Sequence, residues 1–154
     1  MLLRLVGAKA KGQGSAEAGA VATLDFAKRH AVPTEGWSIQ DGSGLSRTDL
    51  VTPAGMAALL VAMDRHADAA AFRDSLPIAG VDGTLEKRLR GTAAEKRVLA
   101  KTGTSGLMNA LAGYVTTVRG EGLAFAAFVN NNVGRSRESV QALDRLAVAL
   151  AEAR

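Results

Sequence analysis

Residues 101–104 read Lys-Thr-Gly-Thr and sit inside an otherwise apolar run, "LAKTGTSGLMNALAGYVTT", residues 99–117. A strand that needs only to be buried carries no cation, no pair of hydroxyls and no bare backbone. Lys101 brings an ammonium group. Thr102 and Thr104 alternate with Gly103, so in an extended strand their side chains share one face. Gly103 leaves the strand surface open where a ligand backbone can lie alongside. An edge strand furnished in this way can pair with an extended peptide, and the backbone N–H of Thr104 can serve as an oxyanion donor. The plain alternative is a Lys-Thr-Gly-Thr turn with a solvated lysine.

A second polar stretch, "DGSGLSR" at residues 41–47, holds Ser43 and Arg47. Its Asp-Gly and Ser-Gly pairs build turns. As a binding element it would border a substrate groove, with Arg47 placed to pair bidentately with a carboxylate. His30 and His66 fall near predicted helix C-termini, where a partly charged imidazole is favourable. No His, Asp and Glu residues fall at metal-ligand spacing, so neither a metal nor a cofactor is expected. Asn130, Asn131 and Asn132 are expected to make the turn that ends a strand.

These residues need a scaffold, and the patterning supplies one. Residues 1–8 read as a helix with Leu2, Leu5 and Val6 on one face, followed by an "AKAKGQG" loop. Residues 15–30 read as a helix with Ser15 as cap and Pro33 just beyond its end. Residues 36–47 give an extended piece and a glycine-serine turn. Thr52 caps a helix that has Pro53 at its first position and runs to about His66. A short helix follows over about Ala69–Ser75, then a "PIAGVDGT" loop, then a short helix from Thr84 to about Leu89. "RVLAKTGT", "ALAGYVTTV" and "LAFAAFVNN" read as three strands, with "RGEG" as the hairpin turn between the last two. Residues 136–152 close the chain as a helix with Ser136 as cap and Val140, Leu143, Leu146, Ala147 and Leu150 as its apolar stripe. The fold class is therefore α/β (α+β), an antiparallel sheet flanked by helices.

Composition narrows the function classes. The 154 residues fit one domain, and 47% hydrophobic with 22% charged residues is the balance of a globular chain. The net charge of +4 is spread along the sequence, and six aromatics are too few to stack on bases, so no nucleic-acid partner is expected. With no cysteine there is neither a disulfide framework nor a thiolate nucleophile. The longest apolar runs are too short for a transmembrane segment. "MLLRLVGAKAKG" is no signal peptide: Arg4 interrupts the apolar stretch. It reads as the second half of an amphipathic helix, with the folded unit beginning upstream of Met1.

"KTGT", followed by "LAGYV" and the hairpin to "LAFAAFVNN", resembles the third active-site motif of penicillin-binding proteins and serine β-lactamases. Together with "DGSGLSRTDLVTP" (residues 41–53) and "LPIAGVDGTL" (residues 76–85), it is similar to the C-terminal part of the class C low-molecular-mass penicillin-binding proteins, the D-alanyl-D-alanine carboxypeptidase/endopeptidases of peptidase family S13. The resemblance covers essentially all of residues 1–154. It implies a partial transpeptidase fold of the penicillin-binding protein/serine β-lactamase type, and a periplasmic or otherwise extracytoplasmic enzyme acting on peptidoglycan stem peptides and acylated by β-lactams. It assigns proton organisation and substrate-charge neutralisation to Lys101. Terminal-carboxylate binding falls to Thr102 and Thr104, half of the oxyanion hole to the Thr104 N–H, and an open strand surface to Gly103. Arg47, beside Ser43, would meet the side-chain carboxylate of a diaminopimelate-type stem peptide.

The departures are equally specific. Such enzymes need a Ser-x-x-Lys motif and a Ser-x-Asn motif, and neither occurs. "TLEK", residues 84–87, is the nearest formal match and reads more simply as a capped surface helix. A serine hydroxyl without an adjacent base is a weak nucleophile. The chain is thus expected to be a C-terminal portion, cut after the second motif, inactive alone, with nucleophile and export signal upstream. The alternative is a non-catalytic module that uses the same edge strand to bind peptidoglycan or a protein.

Overall fold

The computed structural model describes residues 1–153. They fall into two compact units, Met1–Ala62 and residues 63 onward.

In the first unit, helices α1 (Leu2–Lys11) and α2 (Ala16–Arg29) pack through glycine. A Cβ at Gly19 would stand 2.1 Å from the Leu3 carbonyl oxygen, and one at Gly7 2.7 Å from the Gly19 nitrogen. Helix α1 runs past residue 8 through the stretch read as a loop. Ala8–Lys11 are good helix formers, and Gly12, at φ 71°, supplies the left-handed C-cap. Leu2, Leu5 and Val6 are exposed together. Helix α2 starts at the expected cap, where Ser15 Oγ accepts from the Ala18 N–H at 3.0 Å. Ser38 and Leu50 exchange two backbone hydrogen bonds of 2.8 Å, which closes the loop between them. Thr52 Oγ1 accepts from the Gly55 N–H at 3.1 Å and caps α3 (Pro53–Asp64), which stops two residues short of His66.

The second unit holds α4 (Ala69–Asp74), a 3₁₀ turn (Gly83–Leu85), strands β1 (Val98–Ser105), β2 (Met108–Thr116) and β3 (Gly122–Asn130), and α5 (Ser136–Ala151). The sheet is antiparallel, in the order β1-β2-β3. A two-residue turn, Gly106–Leu107, joins β1 to β2. Residues 117–121 join β2 to β3, with Thr117 Oγ1 accepting from the Arg119 and Glu121 N–H groups, both at 3.2 Å. One sheet face buries Val98, Ala100, Leu111, Val115 and Phe125 against Leu143, Ala147 and Ala151 of α5. On the other face, Tyr114 meets Phe72 edge-on at 6.4 Å, and the Arg73 guanidinium lies 4.1 Å from its ring centroid.

Two helix readings are corrected. Thr84 caps no helix to Leu89. It lies inside the 3₁₀ turn, and Leu89, at φ 64°, has left-handed backbone that a helix cannot contain. In α5 the cap position is Arg135, not Ser136. The stripe there is Ser139, Leu143, Ala147 and Ala151, each four residues on. Leu146 lies at its rim and stays exposed.

Candidate active site

Strand β1 is an edge strand whose outer side is half covered. The Ala79 N–H donates to the Val98 carbonyl at 2.9 Å, and the Ala100 N–H to the Pro77 carbonyl at 3.0 Å. In an antiparallel ladder, a residue's N–H and C=O point to one side and those of the next residue to the other. Val98 and Ala100 point outward, so Thr102 and Thr104 do as well. Past Ala100 no backbone segment pairs with this edge among the described residues. The Thr104 N–H therefore faces an open edge, as an oxyanion donor must.

Around that edge the side chains are already ordered. Lys101 Nζ donates to the Thr102 carbonyl at 2.6 Å, which holds the ammonium against the edge. The Thr102 hydroxyl bonds the Thr84 hydroxyl at 2.9 Å. Thr104 Oγ1 accepts from Asn109 Nδ2 at 3.2 Å, across the directly paired position. Thr102 and Thr104 share a sheet face, as their spacing predicts. Gly103 has ordinary strand backbone, and a Cβ there would stand 3.3 Å from Ala110 Cβ. The fold itself makes only a mild demand for glycine at this position.

Asn109 is fully buried, and so, nearly, are Asn132 and Ser139. Asn132 Nδ2 donates to Asn109 Oδ1 and to Ser139 Oγ at 3.2 Å. The Ser136 hydroxyl also meets Asn109 Oδ1 at 3.2 Å. Asn132 therefore does more than turn the chain, and Ser136 ties α5 to β2 instead of capping the helix. Residue type alone could not reveal this cluster, because it needs the register that sets Asn109 opposite Thr104.

Ser43 and Arg47 lie in the first unit, Lys101–Thr104 in the second. Asp41 Oδ1 accepts from the Ser43 N–H at 2.8 Å and from its hydroxyl at 2.9 Å, and these bonds hold the Asp41 carboxyl below the usual range. Ser43 Oγ in turn accepts from the Leu45 N–H at 3.0 Å. Ser43 is thus a turn builder, while Arg47 is exposed. A cavity of about 500 Å³ lies elsewhere in the second unit, between residues 87–92 and the outer side of α5, and no residue of the Lys101–Thr104 stretch lines it. Among the described residues no group of three or more His, Asp or Glu side chains could hold a metal ion, and no helix is long and apolar enough to cross a membrane.

Residues 1–151 match the model of the D-Ala-D-Ala carboxypeptidase 3 (S13) family. The D-alanyl-D-alanine carboxypeptidase of Actinomadura sp. (strain R39) is 42% identical over 99% of this chain and 29% of its own length. The D-alanyl-D-alanine carboxypeptidase DacB of Haemophilus influenzae is 37% identical over 78% of this chain and 26% of its own. The chain thus spans between a quarter and a third of the length of these relatives. The crystal structure of penicillin binding protein 4 (dacB) from Haemophilus influenzae superposes with a TM-score of 0.87, at 31% identity, over 99% of this chain and 36% of that one. The same protein complexed with a novel β-lactam gives 0.82 over 97% of this chain and 36% of that one, again at 31% identity. The TLA-1 extended spectrum β-lactamase shares the fold, with a TM-score of 0.65 at 18% identity over 87% of this chain and 54% of that one.

Proposed function

This chain belongs to the D-Ala-D-Ala carboxypeptidase 3 (S13) family, and from that premise we propose that it forms the C-terminal portion of a serine-type D-alanyl-D-alanine carboxypeptidase/endopeptidase domain. In this reading the Ser-x-x-Lys and Ser-x-Asn segments lie upstream of Met1, and the 154-residue chain is inactive without them. The substrate is the D-Ala-D-Ala end of a peptidoglycan stem peptide, met in the periplasm or another extracytoplasmic space. β-Lactams acylate the same serine, a reading supported by the β-lactam complex of the Haemophilus influenzae protein. Family membership favours this enzyme over a non-catalytic peptidoglycan- or protein-binding module.

The observation that carries the proposal is the open half of the β1 edge. Along that edge lie the Lys101 ammonium, held on the Thr102 carbonyl, the Thr102 and Thr104 hydroxyls on one sheet face, and an outward Thr104 N–H, beside backbone that no neighbouring segment pairs among the described residues. Lys101 neutralises the terminal carboxylate and organises protons around the serine. Thr102 and Thr104 donate to that carboxylate. The Thr104 N–H stabilises the oxyanion as the serine oxygen attacks and the terminal D-alanine departs with a proton. Gly103 keeps the substrate backbone close. On the first unit, Arg47 offers an exposed guanidinium of the kind that pairs with a stem-peptide side-chain carboxylate, and Ser43 lies in the same loop.

In the full-length enzyme, Lys101→Ala should lower acylation by at least the ~10²-fold typical of a positioned acid–base or electrostatic group, for a fluorescent penicillin and a D-Ala-D-Ala peptide alike. The 154-residue chain alone should show no labelled band. Parental acylation in the lysine variant, or a penicillin adduct on the short chain that prior boiling abolishes, would sink the proposal.

A further inference from the structure

The buried polar cluster beneath Thr104 fixes which way its two amides face, and its anchor is a backbone carbonyl. Ser139 Oγ donates to the Arg135 carbonyl oxygen at 3.0 Å, an atom that can only accept. The Ser139 oxygen is thereby left as the acceptor for Asn132 Nδ2. The same amino group reaches Asn109 Oδ1, and Ser136 Oγ lies against that oxygen as well. Turning the Asn132 amide over would set its oxygen against the Asn109 oxygen. The observed orientation stands even though it leaves Asn132 Oδ1 buried with no partner among the described residues, a state that disfavours itself by the desolvation of a lone acceptor. With Asn109 Oδ1 facing inward, its amino group faces Thr104 and donates to Oγ1.

We propose that Asn109 is a positioning residue for Thr104: by occupying the hydroxyl oxygen as an acceptor, it turns the Thr104 hydrogen outward as a donor to an anionic ligand. The inference rests on the reading above, in which that ligand is the substrate's terminal carboxylate. A threonine hydroxyl rotates freely, and without this bond it could spend its hydrogen on a neighbour. The Asn132 amino group donates both ways, to Ser139 and to Asn109, which fixes the Asn109 amide with its own amino group on Thr104 and leaves the Thr104 hydrogen for the open edge. Asn109 touches no substrate in this scheme, since it is fully buried.

The test uses the full-length enzyme and the ratio of acylation rates for a D-Ala-D-Ala peptide and the same peptide capped as its terminal carboxamide. Thr104→Val should cut that preference for a free carboxylate about tenfold, as expected for one hydrogen bond to a charged group. Asn109→Asp is nearly isosteric and keeps an acceptor for Asn132 and Ser136, but it draws the Thr104 hydrogen inward. It should cut the ratio by a similar factor, and the double variant should lose no more than either single one. Ser139→Ala removes the anchor, and should shift the ratio the same way by a smaller factor even where Asn109→Asp folds poorly. If Asn109→Asp and Ser139→Ala keep the parental ratio while Thr104→Val loses it, or if the double variant is additive, the inference fails alone. If Thr104→Val itself keeps the ratio, the carboxylate reading of Thr104 fails and takes the inference with it.

Discussion

The two halves of strand β1 share one backbone and live in different surroundings. Val98 and Ala100 are fully buried. Their outer edge is paired with Pro77–Ala79, and the 3₁₀ residue Leu85 belongs to the same core cluster. Lys101–Ser105 continue the ladder with β2, yet their outer edge is open and their side chains are cation, hydroxyl and glycine. In the first half, residue choice answers to packing. In the second it answers to hydrogen-bond direction, and the fold would accept several other residues there.

The comparison can be broken most forcefully at Leu85. Leu85→Ala removes a fully buried side chain and should cost about 2–5 kcal/mol, read as a shift in denaturant midpoint. An unchanged midpoint would mean that the covered half is not held by packing. The glycines sharpen the contrast next. A Cβ at Gly113 would stand 2.1 Å from the Leu99 carbonyl oxygen, so Gly113→Ala should destabilise by about 1–3 kcal/mol through overpacking. At Gly103 a Cβ meets the Ala110 methyl at 3.3 Å and the Ala110 nitrogen no nearer than 4.0 Å, so Gly103→Ala should stay within about 0.5 kcal/mol. Equal losses at both positions would erase the distinction. The smallest change in stability belongs to Thr102→Val. In the full-length enzyme it should weaken carboxylate-bearing substrates about tenfold and leave the unfolding midpoint nearly unmoved, because its side-chain hydrogen bond goes to the exposed Thr84 hydroxyl.

Periodicity and punctuation disclosed most of this scaffold. The three strands, the hairpin at "RGEG", the Ser15 and Thr52 caps and the helix after Pro53 all follow from local chemistry that does not depend on partners. The errors arose where tertiary geometry overrides local preference. Thr84 looks like a cap, but the chain turns again at Leu89, whose backbone is left-handed. Leu146 looks like core, but the stripe that meets the sheet is set by small residues at Ala147 and Ala151, which let α5 approach. The "KTGT" motif was legible because its residue types are anomalous for a buried strand. Asn109 and Asn132 were not, because two asparagines 23 residues apart carry no signal until a strand register brings them together.

The segment Pro77–Ala79 fills the edge of β1 up to Ala100 and so acts as a stop. Outward-facing groups at Thr102 and Thr104 are separated by about 6.8 Å, two residues of strand, and one of them, the Thr102 carbonyl, is already engaged by Lys101. An extended chain that docks here runs into occupied edge within about one residue of Lys101, and must end or turn away. For the peptide proposed above, this edge has room for its tip and none for its passage, and it is too short for a second sheet to zip onto.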